Sequence, residues 1–268
     1  MKKYFEGEAL YGDDFSTEQI KNWFDQEAEA YAELGSKNKN EYIYIYHELN
    51  KYHGYKYILD NHFKNVMSFG GAYGDELIPI IKKIENITIL EPSEQLRAKN
   101  LMGIPIQYVK PQISGDLPFN DNQYNLITCF GVLHHVPNVS KLINEFYRCL
   151  DNNGYLILRE PIISMGDWRK KRKNLTSNER GIPDQIFHDM ILKSGFKVVH
   201  KSYCWFMPIT RFNYFKTITK KGLFNFQSIV FIDSIFSFFF SWNKKYHATT
   251  KLRKIQPQSV FYVLKKQA

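Results

Sequence analysis

The chain predicts an α/β fold, with a mostly parallel sheet carrying helices on both faces. Three observations support this. Short apolar runs alternate with helical patterns from about residue 63 to residue 206. The runs are apolar throughout rather than at every second position, as strands covered on both faces require. A small-residue turn, Gly70-Gly71-Ala72-Tyr73-Gly74, joins the first run to the helical pattern behind it.

The elements follow in order. An amphipathic helix is expected over 15–35, capped by Ser16 or Thr17, with Ile20, Trp23, Phe24, Ala28, Tyr31 and Leu34 at helical spacing. A second is expected over 40–62, with Gly54 as its weak point, so that 1–62 forms an N-terminal helical cap. The core, 63–206, begins with a strand at 65–70, a helix at 75–84, a strand at 87–91 and a short helix at 93–100. Strands at 105–109 and 124–130 come next, then a helix at 139–150 closed by Asn152-Asn153-Gly154, and a strand at 155–159. A helix at 183–194 stops at Gly195, and a strand covers 196–206. An aromatic and basic insert, 207–257, precedes a last strand within 258–268.

A chain of 268 residues with 44% hydrophobic content can bury one large core with a lobe beside it. Its formal charge of +9 is unevenly spread: residues 1–158 hold 15 Lys/Arg against 21 Asp/Glu, and residues 159–268 hold 21 against 6. The basic part suits phosphate groups, nucleic acid or an anionic membrane face, or serves only to keep the protein soluble. Cys129, Cys149 and Cys204 sit in apolar surroundings without metal spacing and read as buried thiols in a reducing compartment. The first ten residues contain acids and no long apolar run, so no secretory signal is expected and the cytoplasm is the expected location. Ile229 to Trp242 is apolar almost all round, but it is shorter than the ~20 residues of a bilayer span and contains Asp233. It is expected to be a buried or substrate-covering helix, with a helix lying in a membrane interface as the alternative.

Chemistry concentrates at the ends of the predicted strands. The Gly70–Gly74 turn lets backbone amides approach a ligand closely, and Glu91, ending the next strand, can accept two hydrogen bonds from a ribose diol. Pro92-Ser93 follows it. Farther on stand Leu117-Pro118-Phe119 and then Cys129-Phe130-Gly131-Val132-Leu133-His134-His135-Val136-Pro137, with Glu145 and Arg148 on the helix behind. In this order the segments resemble the class I S-adenosylmethionine-dependent methyltransferases of the Leu-His-His-Val type. The resemblance implies a Rossmann-like sheet of seven strands whose terminal hairpin is reversed. It also implies S-adenosylmethionine as cofactor, held by Phe69, Gly70, Ala72, Gly74, Glu91, Pro92, Leu117 and Phe130. Three departures stand out. Ser68 replaces an acid that often steadies the cofactor's ammonium, so that another nearby acid is expected to take over or affinity to fall. Ala72 replaces the middle glycine, tolerable if φ stays negative. Asp116 stands closer to Leu117 than the pattern has it. Trp242-Asn243-Lys244-Lys245-Tyr246-His247, with the Trp23-Phe24 helix, Tyr46-His47 and Ser164 to Trp168, looks like methyltransferases of bacterial surface-polysaccharide gene sets.

That narrower resemblance implies O-methylation of a sugar or of another small, lipid-linked or nucleotide-linked acceptor. A hydroxyl acceptor must lose its proton, so an imidazole or carboxylate at the crevice is needed. His135 is the first candidate for that base, with Glu160 and His47 after it; no metal is expected. The run Arg169-Lys170-Lys171-Arg172-Lys173 and the insert would hold the acceptor, with peripheral membrane contact through 207–257. A nucleic-acid substrate is disfavoured, since no base-flipping Asn/Asp-Pro-Pro-Tyr motif follows the 124–130 strand. Two other readings stay open: a non-catalytic binding protein with a degraded cofactor loop, and a nicotinamide-dependent oxidoreductase.

Overall fold

The computed structural model describes residues 1–34, 42–168, 170–172, 175–176, 178–212 and 222–267. Its strands are β1 (Phe63–Phe69), β2 (Ile84–Leu90), β3 (Asn100–Leu101), β4 (Ile104–Val109), β5 (Tyr124–Phe130), β6 (Leu150–Pro161), β7 (Phe196–Phe206) and β8 (Pro257–Lys266). They form one sheet in the order β3-β4-β2-β1-β5-β6-β8-β7. Pairing is parallel from β4 through β2, β1 and β5 to β6, whereas β8 runs antiparallel to both β6 and β7. The parallel core and the reversed terminal hairpin are as expected. The eighth strand is an addition: Met102 (φ 47) and Gly103 (φ 94) make a two-residue reversal that folds β3 back on β4.

Burial on both faces explains the unbroken apolar runs. Met67, Ile127, Leu156 and Leu158 point to one face, under α4 (Val139–Cys149) and α5 (Asp184–Lys193). Their neighbours Val66, Leu126 and Ile157 point to the other, under α3 (His47–His53) and the residue 75–83 segment.

The helical expectations need correction in four places. The helix predicted over 40–62 is only α3 and a turn at Tyr55–Tyr57, residues 40 and 41 lying outside the described ones. The β-branched and aromatic run at 42–46 resists helix, and Gly54 sits where a Cβ would meet Phe261 Cε1 at 2.7 Å. The 75–84 helix is a 3-10 segment containing Pro79, which lacks the N–H a longer α-helix would use. The 93–100 helix shrinks to one turn, Glu94–Leu96. A short α1 (Lys2–Glu6) was not expected. By contrast α2 (Thr17–Leu34) begins with a reciprocal cap: Ser16 N–H donates to Gln19 Oε1 (2.9 Å) and Gln19 N–H to Ser16 Oγ (3.4 Å).

The insert contains α6 (Met207–Phe212) and α7 (Gln227–Phe239); residues 213–221 lie outside the described ones. No described helix is long and apolar enough to cross a membrane. Asp233, the odd acid of the apolar segment, is fully buried and accepts the amides of Trp205 (2.9 Å) and Phe206 (2.7 Å), which pins α7 to β7. Burial raises its carboxyl to about 6. Only one face of α7 is covered, by way of Val230, Asp233 and Ser237, so the expectation of a buried helix holds for that face alone. The three cysteines are free and buried.

Candidate functional site

The glycine turn leaves β1 at its C-terminal end, where the parallel strands open a crevice. Gly70 (φ 70) has no room for a side chain, since a Cβ would lie 2.6 Å from Val132 Cγ2. Gly74 (φ 80) lets the chain pass close over β2, with Ile89 Cδ1 3.0 Å from its missing Cβ. The condition for tolerating Ala72 is not met: its φ is 47, not negative. The turn is tight, Gly74 N–H donating to Gly71 O at 2.7 Å, and it places the Ala72 amide 3.2 Å from Glu91 Oε2. Glu91 also accepts the Ser93 amide on Oε1 (3.0 Å). Burial raises this carboxyl and the two amides oppose the rise. Each oxygen keeps a lone pair for a further donor.

Beside the turn lies a cavity of about 540 Å³. Phe69, Gly70, Glu91, Pro92 and Leu117, five of the sequence-predicted cofactor residues, line it, together with His135. Glu145 and Arg148 hold the Leu117 wall: Leu117 N–H donates to Glu145 Oε2 (2.8 Å), and Arg148 donates to Leu117 O (3.0 Å) and Phe119 O (2.8 Å). Asp116 pairs with Lys141 at the rim (2.8 Å). Ala72 and Gly74 shape the turn without lining either cavity.

A smaller cavity of about 130 Å³ shares Phe69 and Gly70 with the first and holds Phe130, the eighth predicted residue. Tyr42, Tyr44, Tyr46, Ser68, Gly71, Glu76 and Arg159 complete its wall. Ser68 donates its hydroxyl to Glu76, whose carboxyl is raised to about 7 by burial and lowered in turn by that bond. The acid absent at Ser68 is thus supplied eight residues later. Arg159 is buried, with its guanidinium over the rings of Tyr46 (4.3 Å), Trp205 (5.0 Å) and Phe130 (5.8 Å). Its Nε and Nη1 have no hydrogen-bond partner among the described residues. Sequence reasoning missed both Glu76 and Arg159, although the Ser68 departure pointed to a nearby acid.

The neighbouring histidines have different environments. His134 Nδ1 lies 2.9 Å from Glu160 Oε2 and its Nε2 3.5 Å from Glu179 Oε1. Burial would lower its pKa, but the two carboxylates prevail and raise it to about 9. Glu160 is fully buried and accepts the amides of Val132 (2.8 Å), Leu133 (2.9 Å) and His134 (3.3 Å). It builds the loop after β5 and does not face the crevice, which removes it as a candidate base. His135 lines the larger cavity, with Nδ1 3.1 Å from Glu27 Oε2 of α2. Burial and the charge on His134 lower its pKa, against the pull of Glu27. Trp23 fixes the same residue from behind, its indole N–H donating to His135 O at 2.7 Å. The ring nitrogens of His134 and His135 and the carboxylate of Glu179 offer possible ligand atoms that lie within 4.8 Å of one another.

His47 starts α3 beside the Tyr44 ring and lines neither cavity. The described residues of the basic run do not point the same way. Arg169 and Lys173 lie outside the described residues, Lys170 and Lys171 are exposed, and Arg172 turns inward to donate to Met165 O (3.1 Å), Glu179 O (2.6 Å) and Thr176 O (2.7 Å). Three carbonyls hold Arg172 there, so it is no phosphate clamp.

A glycine turn, an acid ending the second strand and a crevice across parallel strand ends define a nucleotide-type cofactor site on a doubly wound sheet. The profile of the methyltransferase-domain family matches residues 37–201. The chain belongs to this family of class I S-adenosylmethionine-dependent methyltransferases, and S-adenosylmethionine is its cofactor. An uncharacterised protein of Methanocaldococcus jannaschii is 35% identical over 97 residues; the match covers 34% of this chain and 39% of that relative, about two fifths of its length. A candidate S-adenosylmethionine-dependent methyltransferase of Listeria monocytogenes has the same fold, at 12% identity and a TM-score of 0.53, over 80% of this chain and 95% of that one. So does the [4+2]-cyclase SpnF, at 10% identity and a TM-score of 0.55, over 95% of this chain and 98% of that one.

The residues present fit the cofactor. Glu91 suits its ribose hydroxyls, Leu117 its adenine face, and Glu76 with Ser68 its ammonium. The unpartnered nitrogens of buried Arg159 suit a carboxylate. Bound there, it supplies a methyl group on a cationic sulfur, already activated for displacement.

Proposed function

We propose that the chain methylates a hydroxyl of a sugar or of another small acceptor, free or carried on a lipid or nucleotide, with His135 as the base that removes the hydroxyl proton. The His135–Glu27 pair in the wall of the Glu91 cavity is the observation that supports this reading. With Nδ1–H donated to Glu27, Nε2 becomes the accepting nitrogen, and the lowered pKa keeps the ring neutral and able to take a proton at neutral pH. The methyl group goes to the acceptor oxygen, the proton to His135, and the displaced sulfur keeps its electron pair.

The test uses methyl-labelled cofactor with nucleotide-linked, polyprenyl-linked and free sugars, followed by mass analysis of the product. Label on a hydroxyl oxygen, with kcat cut about a hundredfold in His135→Asn at unchanged S-adenosylhomocysteine affinity, is the expected result. Label on nitrogen or carbon, or wild-type turnover by His135→Asn, would refute the assignment.

A further inference from the structure

The side of α7 turned away from the sheet carries an apolar surface that the methyl-transfer reading does not use. Val230, Asp233 and Ser237 face inward, while Phe231, Ile232, Ile235, Phe236, Phe238 and Phe239 are exposed. The stripe continues into Trp242, and exposure reaches 72% at Phe238, 64% at Phe239 and 76% at Trp242. Single exposed hydrophobics are ordinary, but a contiguous stripe of large ones marks an interaction surface.

A second segment joins it. Asn243, next to Trp242, donates to Leu252 O (3.0 Å) and Ile255 O (2.9 Å) and accepts from Arg253 Nη1 (3.1 Å). These bonds tie the 251–255 turn to the end of the stripe. The turn presents Leu252, 73% exposed, between exposed Lys251, Arg253 and Lys254, and Lys245 is exposed nearby. No Asp or Glu occurs in the sequence after Asp233, so acid side chains from this stretch cannot neutralise the cations. Aromatic side chains for the headgroup boundary, ringed by lysine and arginine, are what an anionic bilayer surface binds. The buried Asp233 carboxylate anchors the inner face, which keeps the stripe outward.

We propose that α7 and the 251–255 turn dock this protein on the surface of an anionic lipid bilayer, with Phe238, Phe239, Trp242 and Leu252 entering the headgroup layer and Lys245, Lys251, Arg253 and Lys254 meeting lipid phosphates. The helix lies in the interface and does not cross it. The proposal stands apart from the identity of the acceptor, because binding to lipid needs no turnover.

The full chain is sedimented with vesicles of phosphatidylcholine alone and of an equal mixture of phosphatidylcholine and phosphatidylglycerol. Binding to the mixed vesicles only, weakened by salt, is expected. Lys251→Gln/Arg253→Gln/Lys254→Gln should weaken it at least about tenfold, since each cation near a charged surface contributes roughly fivefold. Phe238→Ser/Phe239→Ser/Trp242→Ser should abolish it, while the thermal transition and S-adenosylhomocysteine binding stay as in the wild type. Equal binding to both vesicle types, or none to either, would overturn the proposal. A concentration-dependent dimer abolished by the same aromatic substitutions would do so as well, by making a second copy of the chain the occupant.

Discussion

The two banks of the crevice are built differently. The cofactor bank is mostly local: the turn and Glu91 follow the ends of β1 and β2 and are held by neighbours along the chain or on the adjoining strand. Only Leu117, in the loop before β5, takes its support from Glu145 and Arg148 of α4. The opposite bank is assembled from far apart. His135 depends on Glu27 and Trp23 from α2, His134 on Glu160 and Glu179, and Arg159 sits among Tyr46, Phe130 and Trp205. The turn and Glu91 therefore rest on short segments, whereas the surroundings of His135 and Arg159 are a property of the finished fold.

The sharpest break in that comparison is at Glu160. Glu160→Ala strands three amides and an imidazolium and should cost about 3–5 kcal/mol of stability, read as a fall in thermal midpoint. The sign with pH is set by His134. Its folded pKa of about 9 lies above the ordinary 6.5, so its stabilising share is complete below 6.5 and is lost as pH rises through about 9. Glu160→Ala should lack most of that loss.

Next comes Glu27→Gln, which should lower kcat about tenfold to a hundredfold and leave cofactor affinity alone. An equal fall in affinity would erase the division between the banks. Glu91→Ala should do the reverse, weakening S-adenosylhomocysteine binding by about 1.5–3 kcal/mol in calorimetry, with the thermal midpoint little changed.

Glu76 lines the smaller cavity, beside Ser68 and Arg159. Its carboxyl titrates near 7, and the ionised form is the better partner for an ammonium, so S-adenosylhomocysteine affinity should rise as pH passes upward through about 7. In Glu76→Gln that dependence should be flat. The smallest effect is expected at Ala72, where a left-handed alanine costs about 1–2 kcal/mol. Ala72→Gly removes that strain, gives part of it back as chain entropy, and should move the thermal midpoint upward by no more than a few degrees.

What could be read from the sequence follows the same division. The strands, the turn and Glu91 were legible because their signals are periodic or adjacent, whereas the reversed terminal hairpin, Leu117 and Phe130 came only with the family resemblance. Glu160 was misread because its place at a strand end does not tell which way a side chain points; three amides claim it from below. Glu27 and Arg159 carry no local signal, since the partners that define them are brought near only by tertiary packing. The condition set for Ala72, a negative φ, is not met, because the demand for a positive φ comes from the turn's closure and not from the residue.

Arg180 adds a consequence in time. Its buried guanidinium donates to the carbonyls of Tyr11, His134, Val136 and Pro137, and burial lowers its pKa to about 10. One side chain, late in the chain, thus ties the N-terminal segment to the loop that carries His135. Because residue 180 is made after both segments that it joins, the His135 loop can take its final shape only once that later part of the chain has reached it.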